Sequence, residues 1–198
     1  MRKLLAIAAA ALLASGSFAF AQSSSSGQSG QTTMPKPSTN SMSDTSVVTG
    51  AKVDTPTFIK TVPSANEFEI RSSEMALKKA SGADVKKFAR QMVKDHTKAG
   101  KNFKAALKKV ESASADANPP LQPKEQQMLD ELKGLSGDQF QAKYIEMQTQ
   151  AHEEAVALFS GYTHSGDNPA LKEFAKKTLP TLKMHEKMIK EVGASHKG

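Results

Sequence analysis

Four stretches of this chain, each long enough for roughly seven helical turns, carry an apolar stripe that includes a glutamate or a histidine. The first stretch, about Pro56 to Ala80, reads Phe58, Val62, Ala65, Glu69, Ala76 and Ala80 along its stripe. The second, Ala83 to about Glu111, reads Val85, Phe88, Met92, His96, Phe103, Leu107 and Val110. The third, Asp138 to His164, reads Phe140, Tyr144, Gln148, His152, Ala155 and Phe159. The fourth, Pro169 to Val192, reads Leu171, Phe174, Leu182, His185 and Ile189. Recurrence at three and four residues is the signature of a helix with one buried face. No alternating strand pattern competes with it.

A polar group on a core-facing stripe destabilises the fold unless it finds a partner. The expected helix midpoints fall at about residues 68, 97, 151 and 180, so Glu69, His96 and His152 lie within about 2 residues, or ~3 Å, of the middle of their helices. His185 is displaced by about 5 residues, ~7 Å. Four polar groups at similar depth, one per helix, point to one shared layer inside a four-helix bundle.

The turns Ser81-Gly82 and Ser165-Gly166-Asp167-Asn168 are short, so the helices pair antiparallel in two hairpins. Between the hairpins lie about 26 residues with a short helix of their own, about Pro123 to Lys133. That length permits a crossover along the bundle, as ferritin-like folds require. The fold class is therefore all-α: a ferritin-like four-helix bundle with a short extra helix in the crossover between the second and third long helices. Thr55 is the expected cap of the first helix and Asn168 of the fourth, each followed by a proline at the first helical position. Pro63 and Pro180 fall inside helices. Pro63 marks a kink or the true start of a second segment capped near Thr61, and Pro180 a kink.

Residues 1–21 read as a signal peptide: Arg2 and Lys3, an apolar run from Leu4, then Ala19-Phe20-Ala21 as the cleavage site. Residues 22–53 are rich in Ser, Gly, Thr and Pro, a disordered tether by composition. Residues 54–198 make the bundle domain. The expected location is outside the cytoplasm, periplasmic or envelope-associated, with no membrane span in the mature chain.

The chain has no cysteine, which excludes disulfides and thiolate metal ligands. Any metal must be held by His, carboxylate or Met. The formal net charge of +7, which loss of Arg2 and Lys3 lowers to +5, suits weak contact with anionic envelope surfaces. With no Trp and two Tyr, the chain lacks the stacking platforms of a nucleic-acid binder. Oligomeric state is left open.

Imidazole is the commonest protein ligand for zinc, copper and ferrous iron. Glu69, His96, His152 and His185 are thus candidate ligands for one transition metal ion: zinc, copper, iron or manganese. Asp95, Tyr144 and Gln148 are the neighbours placed to orient an imidazole. His164 and His196 lie near helix ends and read as exposed. Two other readings stay open. Buried His, Gln, Glu and Tyr can form a satisfied hydrogen-bond layer that fixes helix register without metal, giving a metal-free binding or scaffolding protein. The same layer can also orient a small molecule in the core. No catalytic nucleophile stands out, so an enzyme is not favoured.

Several segments together resemble the bacterial family catalogued as domain of unknown function 4142. They are Ala65-Asn66-Glu67-Phe68-Glu69-Ile70, Val85-Lys86-Lys87-Phe88-Ala89 running into Met92-Val93-Lys94-Asp95-His96, Tyr144 with Gln148 and His152, and Leu179-Pro180 followed by His185. The resemblance covers about residues 54 to 193. It implies a ferritin-like bundle, often exported, with no settled activity. The outer-membrane label often attached to the family does not suit a helical domain without a span. Di-iron bundles carry Glu-x-x-His on two helices. Here Val93, Thr149 and Leu182 stand three residues before the three histidines, so a di-iron site is not expected.

Overall fold

The computed structural model describes residues 52–110 and 120–196. The signal segment, all of the tether but Lys52 and Val53, and the loop at 111–119 lie outside the described residues. The helices are α1 (Thr55–Lys79), α2 (Ala83–Leu107), α3 (Pro123–Gly134), α4 (Gly137–Ser165) and α5 (Pro169–Ser195). No strand occurs among the described residues.

The sequence-based bounds hold to within a few residues, with local corrections. Asp54, not Thr55, caps α1: its carboxylate accepts the Thr57 N–H at 2.8 Å. A carboxylate there also complements the positive helix end, and the Thr57 bonds hold its pKa below the usual value. Helix α1 runs unbroken through Pro63, so the separate segment capped near Thr61 falls away. Pro180 is likewise inside a continuous α5. Asn168 caps α5 as expected, accepting the Leu171 N–H at 3.1 Å. Helix α2 stops at Leu107, short of Glu111. Its chain closes with bonds from Lys109 N to Ala106 O and Val110 N to Leu107 O, a tighter winding that turns Val110 into the core.

The four long helices form a ring in the order α1, α2, α5, α4, each antiparallel to its neighbours. Along the α1–α4 seam, Phe58 stacks on Tyr162 at 4.0 Å and the Ser73 and Tyr144 hydroxyls meet at 2.8 Å. Along the α2–α5 seam, Phe103 meets Phe174, Asp95 meets His185 and Asp84 meets His196. In both seams residue numbers rise on one helix as they fall on the other. Helices α2 and α4 therefore run the same way across the diagonal, and the link between them must return along the bundle. Helix α3 makes this return beside α1. Gln122 N–H donates to Ser64 Oγ at 2.8 Å, and Lys79 Nζ donates to the carbonyls of Lys133 and Leu135 at 2.7 and 2.9 Å. This is the crossover that the long connection predicts.

The apolar interior is divided in two. Near the α1–α2 turn lie Phe68, Phe88, Met92, Leu132, Phe140 and Ile189. Near the opposite end Phe58 is enclosed by Phe103, Phe159, Tyr162 and Phe174, with ring centroids 4.0 to 6.5 Å away. Between the two cores lies a band of buried polar residues. No helix among the described residues is long and apolar enough to cross a membrane.

Phe58 is the hub of the aromatic core and is fully buried. Its truncation, Phe58→Ala, is expected to destabilise the fold by about 3–5 kcal/mol through lost burial and the remaining cavity. Urea denaturation is the measurement, and a change below about 1 kcal/mol would contradict the hub role.

Candidate metal centre

The middle residues of α1, α2, α4 and α5 are Glu67, Asp95, Ala151 and Leu182. His96 and His152 are each one residue from the middle of their helices. His185 is three residues away, closer than its predicted displacement, because α5 extends to Ser195 rather than Val192. Three helices thus deliver three imidazoles to one level by length alone.

The rings form a nearly equilateral triangle, with centroids 5.7 Å apart for His96–His152 and 5.4 Å for the two pairs with His185. One ring nitrogen from each lies within 4.8 Å of the others. All three side chains are buried. Each ring has one nitrogen engaged by an oxygen acceptor on the outside of the triangle. His96 Nδ1 meets Asn66 Oδ1 at 3.2 Å, His152 Nδ1 meets the Gln148 carbonyl at 2.9 Å, and His185 Nε2 meets Asp95 Oδ2 at 2.9 Å. An acceptor demands that the facing nitrogen carry the proton. The tautomer of each ring is thereby set, and its second nitrogen is left with a lone pair. Those nitrogens, His96 Nε2, His152 Nε2 and His185 Nδ1, are buried and have no hydrogen-bond partner.

His96 and His185 are held neutral. Burial pushes the His96 pKa well below its usual value, and the nearby His152 and His185 push the same way. Burial also lowers His185, although the Asp95 carboxylate pulls it back up. Asp95 itself is held below the usual carboxylate range: burial would raise it, but its bonds to His185 and Gln91 outweigh that.

Glu69, expected as a fourth ligand, is not part of the triangle. Its Oε1 lies 3.7 Å from His152 Nδ1, the nitrogen already bonded to the Gln148 carbonyl. Its Oε2 is buried without a partner. Its neighbours are His152 and Gln148 on α4, and with His96 and His152 it lines the same cleft. Burial raises the Glu69 pKa, opposed by His152 and Gln148.

Of the three expected orienting residues, Asp95 holds an imidazole directly. Gln148 does so through its backbone carbonyl, while its side-chain Nε2 donates to Ser72 Oγ at 3.1 Å. Tyr144 makes no hydrogen bond or ring contact with a histidine among the described residues. It bonds Ser73, and its ring meets Phe88, which in turn meets His152 edge-on. His164 is exposed on the Ser160 carbonyl, and His196 pairs with Asp84 at 2.9 Å, both outside the layer.

Two contributors were not anticipated. Asn66 holds His96, and it sits one turn before Glu69 on α1, which is the signal that could have marked it. Gly100, one turn after His96, leaves room for it: a Cβ at Gly100 would stand 3.1 Å from Asn66 Nδ2. A lone glycine inside a helical pattern commonly marks such a close approach. A cleft of about 1380 Å³ reaches Glu69, His96 and His152 from outside, past Ala65, Phe103 and Leu182.

The chain matches the family described as "Domain of unknown function (DUF4142)" over residues 38–192. Among solved structures it is similar to the one described as "CopM in the Cu(II)-bound form", with a TM-score of 0.60 and 20% sequence identity. That match covers 73% of this chain and 99% of the other, and at such identity the likeness is one of fold. No curated protein sequence matches.

The neutral imidazoles set a pH dependence for the metal-free protein. His96 and His185 have folded pKa values below the usual 6.5, so the unfolded chain binds more protons as acid is added. Their contribution to stability is present above about pH 6.5 and is lost as pH falls through the folded values. Glu69 has the opposite sign: its raised pKa favours the fold at low pH and costs stability as pH rises through the folded value. Urea unfolding between pH 7.5 and 5 is expected to show stability falling with pH, and His96→Gln is expected to flatten that fall. Equal slopes in both proteins would refute the assignment of a buried neutral His96.

Proposed function

The chain belongs to this DUF4142 family of unknown function, and on that premise we propose that its bundle core binds one transition metal ion through His96, His152 and His185. One observation carries the reading. Three buried imidazoles bring one nitrogen apiece within 4.8 Å of one another, and each ring has one nitrogen bonded to an oxygen and the other buried without a partner. A purely structural polar layer would be expected to satisfy its buried groups. Ligating histidines have the form found here, one nitrogen free and the other donating to a carboxylate, carbonyl or amide oxygen.

Asp95, Asn66 and the Gln148 carbonyl are the groups that aim the three rings. Glu69 stays beside His152 as a buried carboxylate rather than a ligand. Three neutral nitrogen donors suit copper or zinc better than manganese, which prefers oxygen. The copper in the described CopM structure makes copper the first ion to test. When bound, such an ion supplies a Lewis-acid or one-electron centre, and the cleft gives it an access path. The apolar N-terminal run with its Ala-x-Ala site supports export, and metal handling in the cell envelope is the proposed role. The reading assigns no reaction.

Metal content of purified, untagged protein is expected to be near one equivalent of copper or zinc, with a rise in Tm on adding the ion. His152→Ala is expected to abolish both the metal and the shift. No metal and no shift with any of the four candidate ions would sink the proposal and leave a structural polar layer. Asp95→Asn is expected to weaken metal affinity about 10- to 100-fold with the fold retained. Unchanged affinity would mean that the Asp95–His185 bond does not serve the site.

A further inference from the structure

Charge is sorted by helix. Helices α2 and α5 carry thirteen Lys or Arg against five Asp or Glu, whereas α1, α3 and α4 carry seven against ten. On α2 and its C-terminal cap the sorting is complete by face. Lys87, Arg90, Lys94, Lys98, Lys101 and the capping Lys108 recur at helical spacing on the side opposite His96 and are exposed. The two acids of α2, Asp84 and Asp95, lie instead on the α5 seam, bonded to His196 and His185. None of the six basic residues joins an ion pair among the described residues. From Lys87 to Lys108 the row is about 31 Å long.

We propose that the outer face of α2 is a docking surface for an anionic lipid bilayer. A straight row of cations that form no ion pair among the described residues meets a flat, continuous anionic surface along its whole length. Five of the six residues are lysine, a hydrated point charge without the fork that reads phosphates two at a time. No aromatic side chain lies among them to stack on bases, which disfavours nucleic acid. Lysine is depleted from the buried centres of protein interfaces, which disfavours a discrete protein partner. Attraction to anionic lipid needs neither feature and grows with each added Lys. The one exposed large apolar side chain among the described residues, Met184, lies beside this face in the hollow between α2 and α5, with Lys98 and Lys177. It is placed to enter the headgroup layer.

The test is vesicle co-sedimentation of the whole chain, with vesicles of phosphatidylcholine alone or with about one-third phosphatidylglycerol. One variant replaces Lys87, Lys94, Lys98 and Lys101 with Gln. A control makes the same change in net charge at Lys60, Lys78, Lys124 and Lys133. Whatever residues 1–51 contribute is common to both, and circular dichroism checks that each remains helical. Each Lys near an anionic surface is worth about a fivefold gain in partitioning. The α2 variant is therefore expected to lose at least about tenfold in binding to the anionic vesicles. The control is expected to stay within about threefold of the unaltered chain. The difference should fade as salt rises toward about 0.5 M. Equal losses in the two variants would show that net charge alone acts, and no loss in either would show that the face is idle. Tighter binding to duplex DNA than to the anionic vesicles at equal salt would assign the face to nucleic acid. Each of these outcomes overturns the proposal.

Discussion

Three buried imidazoles, each with one nitrogen bonded to an oxygen and the other left without a partner, are the constraint around which the bundle is arranged. A lone pair buried without a donor loses its hydration and gains nothing in return. Three of them facing one another add repulsion to that loss. Such a group persists only where the surrounding structure fixes each ring from outside. Asn66 on α1, Asp95 on α2 and the Gln148 carbonyl on α4 do so, so three helices share in placing the rings. The apolar cores on either side offset the cost of the arrangement. The aromatic cluster around Phe58 and the cluster around Phe88 and Phe140 are separate, and each closes one end of the polar layer.

The ring order follows from the same requirement. His96 and His185 sit on helices that touch, and Asp95 bridges them by reaching from one to the other. His152 stands diagonally across from α2 but beside α5, so its ring meets His185 along the α4–α5 seam and His96 across the bundle axis. This placement needs α2 and α4 to run in the same direction on opposite corners, which a short turn cannot supply. Helix α3, held to α1 by Ser64 and Lys79, is the return path. The crossover and the histidine layer are thus consequences of one topology.

Much of this is legible in the sequence because helix period and helix length are local properties. The stripes identify the inward residues, and the middle positions of His96 and His152 on helices of similar length put both rings at one level. The sequence is less decisive where the answer depends on rotation about a helix axis by a fraction of a turn. Glu69 belongs to the apolar stripe of α1, yet the stripe is wide enough to face α4 at Glu69 and α2 at Asn66. Periodicity cannot divide a stripe between two neighbours. The Gln148 contribution is hidden for another reason: its carbonyl, not its amide, holds His152, and a backbone group leaves no mark on sequence. Asp54 displaces Thr55 as the cap because both residues can cap, and only the local chain path decides between them.

The absence of Glu-x-x-His separates chemistry from fold. A ferritin-like layout does not impose its usual carboxylates; it offers inward positions at the middle of four helices, and the side chains there decide what is bound. Val93, Thr149 and Leu182, where bridging carboxylates would stand, remove the negative charge needed to balance two ions. What remains is three neutral nitrogens, with Glu69 and Asp95 nearby but turned to histidine N–H groups. Charge balance then favours a single ion, and it favours one that accepts nitrogen donors without demanding oxygen. Because Asp95 binds the outer nitrogen of His185 rather than the centre, its charge reaches an ion only through the ring, raising the basicity of the lone pair. The same carboxylate also lies on the α2–α5 seam, so the geometry that tunes the site is the geometry that joins those two helices.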